Sequence, residues 1–541
     1  MRGKGGAAGM AGATDAFLGR VLMCAIVTFE PLCALCPSLD RIDCVLGVIP
    51  HLFSRVPPSG ISMDFRGSFT EEMVERTGST RTWSMWSDRA VLAFCGAVVL
   101  YLGWFAIHFA QERLYSDSSY YLFRVVNEGA VWIEHGRWVL ALSQILPLVG
   151  TVLGLPMASL ITLHSVNNVF FLVLCLVFVL GVLEDPDAAV ALVSIHLIGL
   201  SHGLFCPIFE LYYGITLLIV LRAVIRSDRL SPFLRWPLIG ALFVGSISCH
   251  FLGTLLVLGL LCMDRVRVDR RMLVVLAVLF LAQLMLRLFT LSDYERGSLS
   301  FFTDLHEPGK FLALFNPAWI KPLFAYLFRH YLDVAVLAVV TLIALFQTRK
   351  WWQLSVFVSL LLVLYVLVGL YLPGNAHDRY REQLNFASTA WVLLAVCFHV
   401  LPSSRWRPTV MVLLVLASVW RVVMVMHVAP YYSARTSWHL DRIHQARSMG
   451  ITKGIVPAPV DLGTADDQVD LSWSTSVESL LLSARSGPEG TVSLITEQDV
   501  AYGDVASKLD HFIFRRWDIL DPSSLNTHYF QPPQGTYTRL E

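Results

Sequence analysis

The stretch LYSDSSYYLFRVVNEGAVWIEHGRW, residues 114–138, lies between two long apolar segments. A plain connector there needs only a few polar residues. This one carries Asp117, Arg124, Glu128, Glu134 and Arg137, and sets Tyr120, Tyr121, Leu122 and Phe123 side by side. Charged and apolar residues mixed in this way read as an amphipathic helix lying along the membrane surface, with the four apolar residues facing lipid. Asp117 then stands at the start of that helix. It serves either as a chemical group at the mouth of a cavity or as a cap on the helix that SSYY begins.

The rest of the chain makes the membrane setting necessary. Of its 541 residues 55% are hydrophobic and only 15% charged, against about 25% charged in soluble globular chains. The formal net charge is zero and no basic patch is present, which argues against a nucleic-acid partner. Cys95, Cys175, Cys262 and Cys397 sit inside apolar runs, where cysteine behaves as a small hydrophobe. Cys33 and Cys36, in CALC, have redox-motif spacing but no strand-and-helix context.

Residues 1–85 read as an N-terminal extension. Their apolar run 17–29 is too short to span and ends at Glu30 and Pro31. It is similar to a signal-peptide core, yet no small-residue cleavage site follows it. A true start at Met63 or Met85 is the other reading. From Arg89 apolar segments follow at 90–110, 157–183, 188–203, 211–225, 236–262, 271–290, 331–346, 354–372, 386–401 and 409–427. The basic stretches MDRVRVDRR, QTRKWW and SSRWRP belong on the cytoplasmic side. RAVIRSDRLSPFLRW joins them only if 139–155 dips in without crossing and 236–262 is a hairpin turning near Cys249 and His250. The expectation is an all-α polytopic membrane protein of about eleven transmembrane helices, its N-terminus cytoplasmic. Residues 86–427 form the membrane domain, and residues 428–541 form a small α/β domain on the outer face.

Ionisable groups inside spans cost several kcal/mol unless paired or facing a cavity. The apolar runs hold His164, Asn167, Asn168, His196, His202, Glu210, His250, Arg287 and Arg421. Either they line an outward-opening hollow, or each caps, snorkels or bonds a neighbouring helix. The outer loops add to this set. Asp117 follows the first span, Glu210 precedes another, and NAHDRYREQLN brings His377, Arg379, Tyr380 and Arg381 just before a third. A carboxylate can take an acceptor's proton. Arginines can hold a phosphate leaving group, whose oxygens their planar fork matches.

In these features the chain resembles the polytopic GT-C glycosyltransferases, particularly bacterial aminoarabinose and mannosyl transferases. The resemblance rests on Asp117 in YSDSSYY, on Glu210 before LYYGITLLIVLRAVIR, on the short span RWPLIGALFVGSISCHFLG, and on HDRYREQLNFASTAWVLL. It covers roughly residues 88–427. Two departures weaken the match: His250 stands where the family often has a lysine, and the second acid is a glutamate inside IFELYY. The resemblance implies a polyprenyl-phosphate sugar donor, transfer to a lipid, glycan or protein acceptor on the outer face, and a bacterial inner-membrane location with the C-terminal domain in the periplasm. It implies Asp117 as base and Glu210 as second acid. Arg379 and Arg381 become the phosphate clamp, with His377, Tyr380, His250 and Arg287 as further substrate contacts. Asp117 and Glu210 could hold Mg2+ or Mn2+. A transporter or lipid flippase is the alternative, although no paired halves of the kind carriers show are visible. A surface-polysaccharide polymerase or ligase is the third.

Overall fold

The structure is a computed structural model and describes residues 72–540, apart from 265–269, 293–295, 297–315, 372–377, 458–472 and 532–534. Within the described helices, the side chains of residues 72–88, 317–319, 322–323, 370–371 and 378–380 are also outside the description. The CALC motif and most of the N-terminal extension therefore lie outside it.

The first helix, α1 (Glu72–His108), contains a span from Arg89 to His108. A tight turn at Glu112–Leu114 then leads into α2 (Asp117–Glu128). Gly129, at φ +63, ends α2 and sends its N–H back to the Val125 carbonyl, a left-handed stop that glycine adopts without strain. Two short pieces follow, Trp138–Gln144 and α3 (Ile145–Val152), then the span α4 (Met157–Val177) with its π-helical last turn to Leu183. Helix α5 (Pro186–Leu197) starts from Asp185, whose carboxylate accepts the Ala188 N–H at 3.0 Å. Its residues from Ala188 to Leu197 are all buried, so it runs through protein rather than lipid.

Next come α6 (Glu210–Arg226), α7 (Pro232–Ser248), α8 (Phe251–Met263), α9 (Arg270–Phe289), α10 (Pro317–His330), α11 (Leu332–Gln347), α12 (Trp351–Tyr371) and α13 (Asp378–Ala395). Among the described residues six helices are long and apolar enough to cross a membrane, and a seventh crossing arises if the pair Phe324–His330 and Leu332–Gln347, bent by 97°, counts as one span. These helices make the chain a membrane protein by length and composition. The other apolar runs fold into shorter helices: Trp138–Val152, Pro186–Leu197, Pro232–Ser248 and Phe251–Met263. A straight crossing needs about 20 residues, so about eleven crossings is not what the helix lengths support. The run 236–262 is broken at Cys249 and His250, where the His250 ring nitrogen accepts the Leu252 N–H at 3.1 Å and starts α8.

Between α5 and α6, residues 198–209 are irregular and buried. Backbone N–H groups at such depth must find partners. Here the Glu382 carboxylate, on α13, accepts from Ser201 N (3.0 Å to each oxygen), His202 N (3.2 Å) and Gly203 N (2.5 Å), and from the Ser201 hydroxyl at 2.6 Å.

Helix α14 (Arg407–Ser448) carries the last span and continues without interruption out of the membrane domain. It leads into the C-terminal region, where α15 (Thr475–Ser483) packs on a parallel sheet in the order β2 (Ser493–Thr496), β1 (Lys453–Val456), β5 (Thr538–Arg539). A separate hairpin pairs β3 (Phe512–Arg515) with β4 (Asp518–Leu520). This small α/β unit forms one apolar cluster with α2. Phe123 lies 4.6 Å from Phe514 and 5.7 Å from Phe530, ring centre to ring centre.

That contact corrects the lipid-facing reading of α2. Tyr120, Tyr121, Leu122 and Phe123 are all buried, Phe123 completely. Tyr120 and Phe123 pack against the C-terminal domain, and Tyr121 and Leu122 are buried inside the protein rather than facing lipid. Burying each such ring is worth about 1.5–3 kcal/mol wherever the apolar partner comes from, so the same amphipathic pattern serves protein and lipid alike.

Candidate active site

Asp117 enters the site from a turn. The N–H of Ser118 bonds the Tyr115 carbonyl at 3.3 Å, and Ser116 has φ +58 and ψ −123. These are the angles of the first central residue of a type II′ turn, a place that favours glycine. Ser116 makes no side-chain cap, although its carbonyl accepts the Ser119 N–H at 3.1 Å and the Ser119 hydroxyl at 2.7 Å. Asp117, half-buried, is the first residue of α2. Ser118 anchors that end, its hydroxyl 2.8 Å from the His164 ring on α4.

Tyr121, one helical turn on, gathers the acids. Burial first, and then the charges of Glu134, Glu210 and Asp117, push its hydroxyl well above its ordinary pKa, while Arg137 acts in the opposite sense. Four charged residues from three segments are therefore near enough to act on one phenol. Glu210, the first residue of α6, takes Arg137 Nη1 at 2.5 Å, with side chains only 15% and 19% exposed. A pair in that setting is much less screened than one on the surface. Glu210, Arg137 and Arg287 also act electrostatically on Cys249, and the two arginines act on His250. The break between α7 and α8 thus lies beside the same cluster.

Further contacts fix Glu134. It accepts the Tyr120 hydroxyl, which receives the Trp132 indole N–H at 2.9 Å. Burial and the neighbouring Glu134 carboxylate push the Tyr120 hydroxyl up to about 12. Arg515, from the C-terminal hairpin, lies 4.2 Å over the Tyr120 ring and 3.8 Å from Glu134. Arg124 bonds Asp518 at 2.8 Å and stacks on Trp132 at 4.5 Å. Cation and ring attract through the ring quadrupole, so α2 and the appended domain are tied by charge as well as by apolar contact.

Of the residues expected from sequence, Asp117, Glu210, His250 and Arg287 therefore share one neighbourhood. Arg381 stands 5.5 Å over the Tyr326 ring of α10. His377 and the side chains of Arg379 and Tyr380 lie outside the described residues. Three residues that the sequence reading named without giving them a part in the site belong to it: Tyr121, Glu134 and Arg137 all lie within 114–138, but nothing local marks them as neighbours of Glu210. Glu382 was also missed, because its partners lie about 180 positions earlier in the chain.

Among the described residues no three His, Cys, Asp or Glu side chains gather as a ligand set, and the cation at Glu210 is the Arg137 guanidinium. A cavity of about 260 Å³ lies elsewhere, between α11 and α14, lined by Leu332, Asp333, Val336, Leu413, Leu416 and Trp420 among others. Its one acid, Asp333, is bound by Arg421. No protein-family model, curated protein or solved structure matches this chain.

Proposed function

We propose that the protein is a membrane glycosyltransferase that takes a sugar from a polyprenyl-phosphate donor and passes it to an acceptor hydroxyl at the outer membrane face. The observation that carries this reading is the partly buried Arg137–Glu210 pair at 2.5 Å, with Asp117, Glu134 and Glu210 all near enough to act on the Tyr121 hydroxyl and Arg287 acting on His250. Glycosyl transfer needs a base for the incoming hydroxyl and cations for the departing phosphate. Asp117 takes the acceptor proton as the acceptor oxygen bonds to the sugar's anomeric carbon. The bond from that carbon to the phosphate oxygen breaks, and both its electrons leave with polyprenyl phosphate. Arg287 and Arg137 stabilise the charge that builds on the phosphate, where a fixed guanidinium costs no reorganisation. Glu210 holds Arg137 in place. One displacement at the anomeric carbon inverts its configuration.

The direct test incubates the full-length protein in liposomes with a panel of polyprenyl-phosphate sugars and a range of acceptors. Release of polyprenyl phosphate that disappears with Asp117→Asn supports the reading. Equal release by that variant removes Asp117 from the chemistry.

A lipid carrier is the second reading. It is favoured by the discontinuous backbone at 198–209 and by the 97° break between α10 and α11, because carriers build their sites at broken helices. The same liposomes distinguish it, since a carrier moves the intact lipid without cleaving it.

A further inference from the structure

We propose that Glu478, in the C-terminal domain, is a positioning residue for Asp117: it holds the turn at residues 115–118 in the conformation that presents the aspartate. The chemistry assigned to Asp117 rests on the function proposed above. The clamp itself rests on geometry.

Ser116 occupies a backbone conformation that its side chain disfavours, at φ +58. A turn with an unsuitable residue needs support from outside. That support comes from 362 positions away, where the Glu478 side chain accepts the Ser116 N–H at 3.1 Å. The carboxylate is itself immobilised. Arg435 of α14 donates to it twice, at 2.9 and 3.0 Å, the Ser474 hydroxyl donates at 2.6 Å, and the His439 ring lies at 3.1 Å. The Glu478 side chain is only 5% exposed.

The neighbouring residue is gripped from the same helix. Arg435 lies 5.3 Å over the Tyr115 ring, and Tyr432 meets that ring edge-on at 5.1 Å. Residues 115 and 116 are therefore both bound by elements of the chain's last third, and Asp117 follows directly. An appended domain that only covered α2 would not need a buried carboxylate aimed at one backbone N–H of the turn.

Three variants of the full chain test this: Glu478→Gln, Ser116→Gly and their combination. In Glu478→Gln a single acceptor oxygen remains where two met Ser116, Arg435, Ser474 and His439, so the Ser116 bond weakens. Glycine adopts positive φ freely and makes the clamp dispensable. The expected result is that Glu478→Gln raises hydrogen exchange at the amides of residues 116–120 by roughly tenfold or more, as loss of a bond to a charged group allows. It also lowers kcat for transfer while the donor KM changes little. Adding Ser116→Gly restores both. Ser116→Val strains the turn while leaving the Glu478 side chain itself unchanged. It is expected to raise exchange at residues 116–120 while residues 475–483 stay protected, a readout that survives if Glu478→Gln fails to fold.

Unchanged exchange at the turn in Glu478→Gln would overturn the proposal. So would a kcat loss that Ser116→Gly leaves unrepaired, because that pattern belongs to general damage to the domain. Exchange requires no substrate. A protein that transfers no sugar but shows the expected exchange pattern retains the clamp and loses the functional reading.

Discussion

Arg137 Nη1 lies 2.5 Å from Glu210 Oε1 and joins the connector after α2 to the first residue of α6, 73 positions later. The pair is four-fifths or more buried on both sides, so neither charge is free to find water when the other is removed. Glu210→Gln is expected to cost transfer about a hundredfold, the scale on which one preorganised electrostatic group acts. Arg137→Lys keeps the charge but loses the planar fork and is expected to lower kcat by a smaller factor. Steady-state assay of both variants, normalised to folded protein, checks the order.

Asp117→Asn removes the proposed base and preserves size and turn-forming character. Transfer is expected to fall by about 10²–10⁴-fold, the usual contribution of a positioned acid or base, with expression and thermal stability unchanged. Activity within a few-fold of wild type would exclude the role.

The Arg421–Asp333 pair lies away from the acid cluster and is expected to act on stability. Arg421 donates to Asp333 twice, at 2.8 and 2.6 Å, and the two side chains are 0% and 4% exposed. Removing one partner strands a buried charge, so Asp333→Ala is expected to destabilise the protein by about 3–5 kcal/mol. Replacing both together, with Asp333→Leu and Arg421→Met, is expected to recover most of that loss. Thermal unfolding in detergent compares the single and double variants.

Acid is expected to loosen the C-terminal domain through Glu478. Burial alone raises its carboxyl pKa, but Arg435, His439 and Ser474 outweigh burial and hold it below the ordinary glutamate value. A depressed folded pKa gives stability that is present above the unfolded value of about 4.3 and is lost as pH falls through the folded one. The unfolding temperature is therefore expected to hold from neutral pH to about 5 and to drop in more acid solution. Glu478→Gln begins lower at neutral pH and loses less on acidification.

Much of the architecture was legible because membrane burial leaves a coarse signature. Runs such as 157–183 and 409–427 are too apolar for water, and the structure makes spans of both. Crossing number was less legible, since hydropathy does not report length after a break. Prolines and polar residues such as Cys249 and His250 divide apolar runs into helices too short to cross. The apolar face of α2 was visible and its partner was not. Tyr120 to Phe123 would look the same against lipid as against Phe512, Phe514 and Phe530. At the site, Asp117 and Glu210 drew attention as acids beside apolar spans. Arg137 is an ordinary loop arginine until folding brings Glu210 to it, and Glu478 sits within SVESLLLSARSG, where nothing points to a turn 362 positions earlier.

The central claim is that the cluster around Tyr121 cleaves a sugar from a lipid phosphate. Its most direct measurement follows radiolabelled polyprenyl-phosphate sugars in sealed liposomes that contain the full-length protein, with separation of intact lipid, free polyprenyl phosphate and glycosylated acceptor. The account predicts stoichiometric polyprenyl phosphate and glycosylated acceptor with inverted anomeric configuration, both lost in Asp117→Asn and strongly reduced in Glu210→Gln. Intact donor appearing on the opposite leaflet, with no sugar released by the wild-type protein on any donor, would contradict it.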